Sequence, residues 1–363
     1  MLKEWRLLNL GEVPWKRTQS IYHALALVKE ELKTPNTLII VWPNKPFVCI
    51  GLHQIIDTSI DIENITSMNL PYIRRACGGG SVYLNNEQIF YQIICREKEY
   101  PKEMQEFYKL FLDPTVETYR HFNIPAQFVP VNDIVADNRK ISGNGAVTFN
   151  NSKVLVGNFI LDFPAKNMSK ILKVPDEKFR DKIASTLEER MGSFSYFLDK
   201  IPLREEIIRE YIANFEKRLN IRLIEGELLQ EEIDKIKEIE DLYDTDDWLY
   251  YVERTGRETY QQKIKSGTYF TSIIKKLPGG LINLFLHFDE DKIKDVIISG
   301  DFSLNPPFVL HQIEEGLKGT RIDYDAIRIK LGSLLDEKNV EMPGIQKEEL
   351  TKLIVEAYEK LKK

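Results

Sequence analysis

Apolar positions along this chain repeat with two different periods, and the change of period marks out its elements. Residues 4 to 10, 38 to 42 and 47 to 51 are short apolar runs bounded by Pro, Asn or charged residues, a pattern that predicts strands. Residues 72 to 75 and 81 to 84 read the same way on either side of a triple glycine, and residues 89 to 95 read as a buried strand. Residues 16 to 32 have helical periodicity, with Thr18-Gln19-Ser20 suited to capping its start. Residues 101 to 122 are amphipathic and helical, with Pro101 at an early helix position. Short β-like pieces follow at 127–131, 134–136, 146–149 and 154–163.

From about residue 166 the pattern becomes helical and charged, through 205–219 and 228–242, and ends at Trp248-Leu249-Tyr250-Tyr251. The polar stretch Glu253-Arg254-Thr255-Gly256-Arg257-Glu258 is the expected domain boundary. Strands reappear at 269–275, 280–288 and 293–299, followed by helices at 307–317 and from 348 onward. The pattern therefore predicts a larger α+β domain over residues 1–252 and a small α+β domain over 258–363.

Composition narrows the class. A length of 363 residues exceeds the usual single domain. The formal net charge of −6 argues against nucleic-acid binding carried by bulk positive charge. No run approaches a membrane span, and Met1-Leu2-Lys3-Glu4-Trp5-Arg6 lacks a signal-peptide apolar region. Cys49, Cys77 and Cys95 form neither a paired framework nor a metal spacing, so reduced thiols in a cytoplasmic protein are expected. The five histidines show no ligand spacing; His53, beside Gly51, stands nearest to a ligand-type motif.

Two segments carry candidate chemistry. In Arg74-Arg75-Ala76-Cys77-Gly78-Gly79-Gly80-Ser81-Val82-Tyr83, two guanidinium groups supply donor forks for phosphate oxygens, and glycines let backbone approach a ligand without a Cβ. The plain alternative is a glycine-rich turn with two solvated arginines. In Val131-Asn132-Asp133-Ile134, then Asp137-Asn138-Arg139-Lys140-Ile141-Ser142-Gly143-Asn144-Gly145, an Asn-Asp pair offers oxygen ligands to a hard cation. Lys140, read as lying in a turn, offers an ammonium to charge developing on a carboxylate or phosphate. The plain alternative there is a hairpin with an exposed lysine.

Taken together, Arg-Arg-x-x-Gly-Gly-Gly-x-Val, then Asn-Asp-Ile, then Arg-Lys-Ile-Ser-Gly-Asn resemble the lipoate–protein ligase A family, of the lipoyl/biotinyl ligase superfamily. Pro46-Phe47-Val48-Cys49-Ile50-Gly51 with Gln54, and the late segment Asp295 to Phe302 with Glu314 to Gly319, fit the same family and its accessory domain. The resemblance implies a mixed β-sheet catalytic domain of the biotin/lipoate ligase type and a small α+β C-terminal domain, in a monomer. It implies activation of lipoate with ATP and Mg2+ to lipoyl-AMP, then transfer to a lysine of a 2-oxoacid dehydrogenase E2 lipoyl domain or a glycine-cleavage H protein. Lys140 would be catalytic. Arg74, Arg75, Asn132, Asp133, Ser142 and Gly143 would hold ATP and the adenylate, with Asp133 serving the metal. Ile73, Gly78, Gly79, Gly80 and Val82 would line the lipoyl site.

The chain departs from the family pattern in two places: Tyr83-Leu84-Asn85-Asn86 stands where a His-Asp pair is common, and Val156-Gly157 where a His precedes the glycine. Three alternatives stay open. Cys77 inside the glycine motif invites an octanoyltransferase or lipoyl-amidotransferase that carries the acyl group as a thioester. A biotin–protein ligase would interleave its arginines with its glycines. A non-catalytic lipoyl-domain-binding paralogue would have little reason to retain Lys140.

Overall fold

The computed structural model describes residues 2–174, 176–252 and 268–360, so the boundary expected at 253–258 lies outside the described residues. The chain begins with β1 (Lys3–Val13), a helix Arg17–Leu32, β2 (Thr37–Pro43), β3 (Phe47–Ile50), β4 (Tyr72–Arg74), β5 (Val82–Leu84) and β6 (Gln88–Arg96). The helix Met104–His121 leads to β7 (Gln127–Val129), β8 (Asp133–Ala136), β9 (Arg139–Ser142), β10 (Gly145–Phe149) and β11 (Ser152–Ile160). After the helix Arg204–Leu219 come β12 (Ile221–Glu225) and the helix Gln230–Tyr243.

Six of these strands form one mixed sheet in the order β10-β11-β6-β2-β1-β12. β1 runs parallel to β2 and β12, whereas β2, β6, β11 and β10 pair antiparallel. Alternation along β6 sends its apolar residues into two different layers, which is why the sequence reads as a buried strand. Ile89, Tyr91, Ile93 and Cys95 enter the core with Phe107, Phe111, Tyr211 and Phe215 from the helices Met104–His121 and Arg204–Leu219. Phe90 and Ile94 enter the opposite layer, with Ile21 and Leu25 of Arg17–Leu32 and Ile236 and Ile239 of Gln230–Tyr243. A strand covered on both faces has no polar side to show. Two short three-stranded sheets, β4-β3-β5 and β7-β8-β9, bring the two motif segments to the same side of this frame.

The later residues fold around their own core. β13 (Thr268–Leu277), β14 (Gly280–Asp289) and β15 (Lys292–Gly300) form an antiparallel meander. Leu284, Leu286, Val296 and Ile298 pack there with Leu317, Leu331, Leu350 and Ile354 from the helices Leu310–Leu317, Tyr324–Glu337 and Lys347–Glu359. The whole is an α+β protein: a mixed-sheet domain followed by a small α+β domain. The two meet along a defined seam. Gly79 N donates to Phe302 O (3.2 Å), Gly300 N to His53 O (3.0 Å) and Thr148 N to Asn305 Oδ1 (2.8 Å). His53 stacks on Phe302 at 4.9 Å, and Phe308 packs against Phe149 and Trp248.

Several local expectations are corrected. The second helix starts at Met104, leaving Pro101 outside, and Thr18 caps nothing: its hydroxyl donates to Trp15 O (2.7 Å) within the first turn. Edge strand β12 and helix Tyr324–Glu337 were not anticipated. Among the described residues β12 has one neighbouring strand, and three of its five residues are exposed, so its apolar period is weak. Among the described residues no helix is long and apolar enough to cross a membrane.

The core contains a histidine with a pH consequence. His23 is buried, its Nδ1 lies 3.0 Å from the Tyr243 hydroxyl, and burial pushes its pKa down to about 3. Above the ordinary value near 6.5 neither state holds the proton; as pH falls below it, the unfolded chain gains a proton that the native core refuses. This group should cost stability at about 1.4 kcal/mol per pH unit through that window. His23→Phe, which keeps an aromatic ring against Phe149, should flatten the fall of the urea midpoint between pH 6.5 and 4.5; an unchanged slope would reject this assignment.

Candidate functional site

The two motif segments and the C-terminal domain enclose one cavity of about 430 Å³. One wall is the turn between β4 and β5. Its glycines are required by crowding: a Cβ on Gly78 would lie 2.3 Å from Phe302 O, and Gly79 sits at φ +94°. Gly78, Gly79 and Gly80 line the cavity, but their outer side is the seat of the C-terminal domain. Val82, at the start of β5, also lines it.

The adjacent arginines have different jobs. Arg75 is half-buried on the cavity wall, and its guanidinium donates to Gly78 O (2.7 Å) and Gly80 O (2.9 Å). It therefore shapes the glycine turn while remaining at the cavity. Arg74 is corrected: it is fully buried away from the cavity. Its Nη1 donates to the carbonyls of Gly51, Leu52 and Gln54 and its Nε to Leu249 O, at 2.6–3.1 Å. What separates it from Arg75 is that it has no face on the cavity. Ile73 is likewise corrected, since it belongs to the core with Cys49 and Leu52 and lies behind the wall. His53 is buried beneath Phe302 and does not line the cavity.

The opposite wall is the β8–β9 hairpin. Asp137 and Asn138 form its turn, both at positive φ, so Lys140 lies in a strand instead of the expected turn. A register shift between Ile134 and Val135 sits opposite Lys140, an irregularity of the sort that re-aims side chains beside sites. Lys140 Nζ lies 2.6 Å from Asp133 Oδ1, with both groups part-exposed at the cavity. Asn132 lines the same wall; its Nδ2 donates to Asn144 O while Asn144 Nδ2 donates to Asn132 O. Gly143 N donates to Asn158 Oδ1 (2.8 Å), holding its backbone at the cavity. Ser142 is corrected to a supporting place: fully buried, it donates to Asn158 O (2.6 Å) and does not line the cavity.

Between these polar walls the lining is mainly apolar, from Val82, Leu84, Phe90 and Val156. Two of these, Leu84 and Val156, fall in the segments that depart from the family pattern. Gly157 is tightly held, because a Cβ there would meet Tyr91 Oη at 2.4 Å. Cys49 and Cys77 also line the cavity, and burial pushes the Cys77 thiol up to about 11 and raises Cys49 as well. Neither is a thiolate near neutral pH.

The C-terminal domain supplies Lys276, Gly280, Asp301 and Ser303 to the cavity. Lys276 Nζ lies 3.6 Å from Asp301 Oδ2. Of these, the sequence marks only Asp301, as a turn residue with a role over the adenylate as the alternative; Lys276, Gly280 and Ser303 carry no such sign, because only docking of the second domain brings them near Lys140. Gln19, Gln92 and Asn158 were also unassigned. The signal for Gln92 was available as a polar residue within the apolar run of β6.

No group of three or more His, Cys, Asp or Glu able to cage a metal exists among the described residues. A single carboxylate, Asp133, is compatible with magnesium held mainly by nucleotide phosphates. The cavity thus places an ammonium and a guanidinium around a channel with apolar walls, an arrangement suited to an acid whose charged end is activated while its tail is sheltered.

The two arginines make different predictions. Arg74→Ala should lower unfolding free energy by about 3–5 kcal/mol, since it strands several buried carbonyls. Arg75→Ala should cost less, because the carbonyls it holds belong to the turn that borders the cavity, where water can reach. Denaturant titration of both variants separates them, and equal losses would overturn the distinction.

Comparison with known proteins gives the same outline. Residues 19–216 match the lipoyl protein ligase A/B catalytic domain, and residues 268–354 match the bacterial lipoate protein ligase C-terminus. The octanoyltransferase LipM of Bacillus subtilis is 24% identical over 277 residues, covering 69% of this chain and 99% of the relative. The lipoate-protein ligase LplJ of the same organism is 26% identical over 268 residues, covering 73% of this chain and 76% of the relative. The structure of P. falciparum LipL1 in complex with lipoate shares the fold, with a TM-score of 0.70, 18% identity, and coverage of 97% of this chain and 99% of that one.

Proposed function

Since this chain belongs to the lipoyl protein ligase A/B family and carries the bacterial lipoate ligase C-terminal domain, we propose that it is an ATP-dependent lipoate–protein ligase. The observation that carries this reading over the transferase reading is the environment of the thiols. A thioester enzyme needs an activated cysteine. All three cysteines of this chain are buried, and burial raises the pKa of each. Lys140, by contrast, stands at the cavity, paired with Asp133.

The proposed reaction has two steps. A carboxylate oxygen of lipoate forms a bond to the α-phosphorus of ATP as pyrophosphate departs, giving lipoyl-AMP. The ε-amine of a lysine on an E2 lipoyl domain or a glycine-cleavage H protein then attacks the acyl carbon, and AMP leaves. No enzyme nucleophile is required, so the protein supplies positioning, charge stabilisation and shelter from water. Lys140 Nζ would exchange Asp133 for the carboxylate and phosphate oxygens, and later for the carbonyl oxygen. Arg75 would face the phosphates from the glycine turn, with Asn132 opposite and Gly143 leaving the backbone open there. Magnesium, arriving with the nucleotide, would shield phosphate charge beside Asp133. The apolar walls at Val82, Leu84, Phe90 and Val156 would hold the tail.

Three measurements test the reading. Wild-type protein should release pyrophosphate from ATP only when lipoate is present; acyl transfer from acyl carrier protein without ATP would refute it. Lys140→Met should reduce pyrophosphate release at least a hundredfold with an unchanged melting temperature. Cys77→Ser should keep turnover within about tenfold, whereas a thioester enzyme would lose it entirely.

A further inference from the structure

Among the described residues, three cations and two carboxylates line the cavity, and one cation is far less committed than the others. Lys140 is closed on Asp133 at 2.6 Å. Arg75 spends Nε and Nη2 on Gly78 O and Gly80 O, and its Nη1 lies 3.4 Å from Cys49 O. Lys276, from the C-terminal domain, makes no hydrogen bond among the described residues. Its Nζ lies 3.6 Å from Asp301 Oδ2, beyond hydrogen-bond reach. The lysine side chain is 67% exposed, and an open ion pair of this kind holds its partners only weakly.

The place of this ammonium is set by the fold. Asp301 N donates to Leu281 O (3.1 Å) and its Oδ1 accepts from Leu281 N, so Oδ2 is left to face Lys276. Gly280, at φ +139°, leaves no room for a Cβ, which would lie 2.6 Å from Asp301 O. Across the seam, a Cβ on Gly80 would stand 3.9 Å from Asp301 Oδ2. Asp301 therefore seats Lys276 beside the glycine turn, where Gly80 O also receives Arg75. Strand alternation separates Lys276 from its neighbour Lys275, which turns toward Glu356 at 3.8 Å and does not line the cavity.

ATP held between Lys140 and the glycine turn brings its β- and γ-phosphates to this place. In adenylation a carboxylate oxygen bonds to the α-phosphorus, the bond from that phosphorus to the bridging oxygen breaks, and the electron pair leaves with pyrophosphate. Negative charge grows on the leaving group, and a cation aimed at it lowers the barrier. A flexible ammonium with free donors, held by one loose carboxylate, suits that task, because phosphate oxygens form strong charge-assisted hydrogen bonds with it. We propose that Lys276 is a catalytic residue of the first step, exchanging Asp301 for the β- and γ-phosphate oxygens and stabilising pyrophosphate as it departs. The inference rests on the ATP-dependent ligase reading above and deepens it by naming the group that meets the leaving phosphates.

Calorimetric titration of the whole chain with ATP and with AMP, in the absence of lipoate, tests this. Lys276→Met should weaken ATP binding about tenfold, the scale of one charge-assisted hydrogen bond, and leave AMP binding unchanged. Lys276→Arg should restore most of the ATP affinity. Lys275→Met, which removes the same charge from the other face of the strand, should keep the wild-type value. With saturating ATP and lipoate, pyrophosphate release by Lys276→Met should fall about a hundredfold, whereas transfer from supplied lipoyl-AMP to a lipoyl domain should keep its wild-type rate. Equal ATP affinity in wild type and Lys276→Met, or a loss shared by AMP or by Lys275→Met, would overturn the proposal. Lys276-dependent ATP binding without pyrophosphate release by the wild type would count against the ligase reaction alone. Normal release by both wild type and Lys276→Met would leave that reaction standing and remove Lys276 from it.

Discussion

The structure of the site depends on one buried cation. Arg74 carries its charge into the interior, where it meets the carbonyl oxygens of Gly51, Leu52 and Gln54 after β3, and that of Leu249. Trp248 Nε1 completes the tie by donating to Arg74 O. A buried guanidinium is costly unless its donors are used, so these segments are obliged to converge on it. Their convergence sets the glycine turn that follows Arg74, and with it the position of Arg75 at the cavity.

The glycine turn then determines how the two domains meet. Gly51 lies so near the turn that a Cβ there would overlap Gly79 O, and Gly78 leaves no room for a Cβ beneath Phe302 O. The same backbone that lines the cavity is thus the bearing surface for residues 301–303. His53, held neutral by burial with its pKa pushed down to about 3, stacks flat on Phe302 and extends that surface. One wall of the site is shared between the domains, so the second domain closes the cavity as well as flanking it.

Polar residues inside the sheet layer have a related logic. Tyr91 donates to Asn144, Ser142 to Asn158 O, and Asn158 to Gln88, a chain that holds the 142–145 segment beside Lys140. These groups are paired with one another and leave the ligand-facing work to backbone and to Lys140.

Much of the fold was legible in the sequence, because period-two and helical apolar patterns reflect which faces are covered. Most strands around the two motifs, the charged helices and the late β-meander lie close to where the patterns place them, whereas β9, which carries Lys140, reads in the sequence as a turn. Edge strand β12, with three of its five residues exposed, left no such trace. At the site, residue type and order were enough to single out Arg75, the three glycines, Val82, Asn132, Asp133, Lys140 and Gly143, which share the wall of one cavity. Arg74, Ile73 and Ser142 could not be separated from them by spacing. Adjacent residues on a strand or turn face opposite ways, and only the packed structure decides which side meets the cavity. The same holds for Lys276 and Asp301, distant in the chain and joined to the site by domain docking. The sequence by itself determined the covered faces and the kinds of chemical group available. Tertiary structure decided which groups meet the ligand, because burial and hydrogen-bond satisfaction are properties of neighbours from elsewhere in the chain.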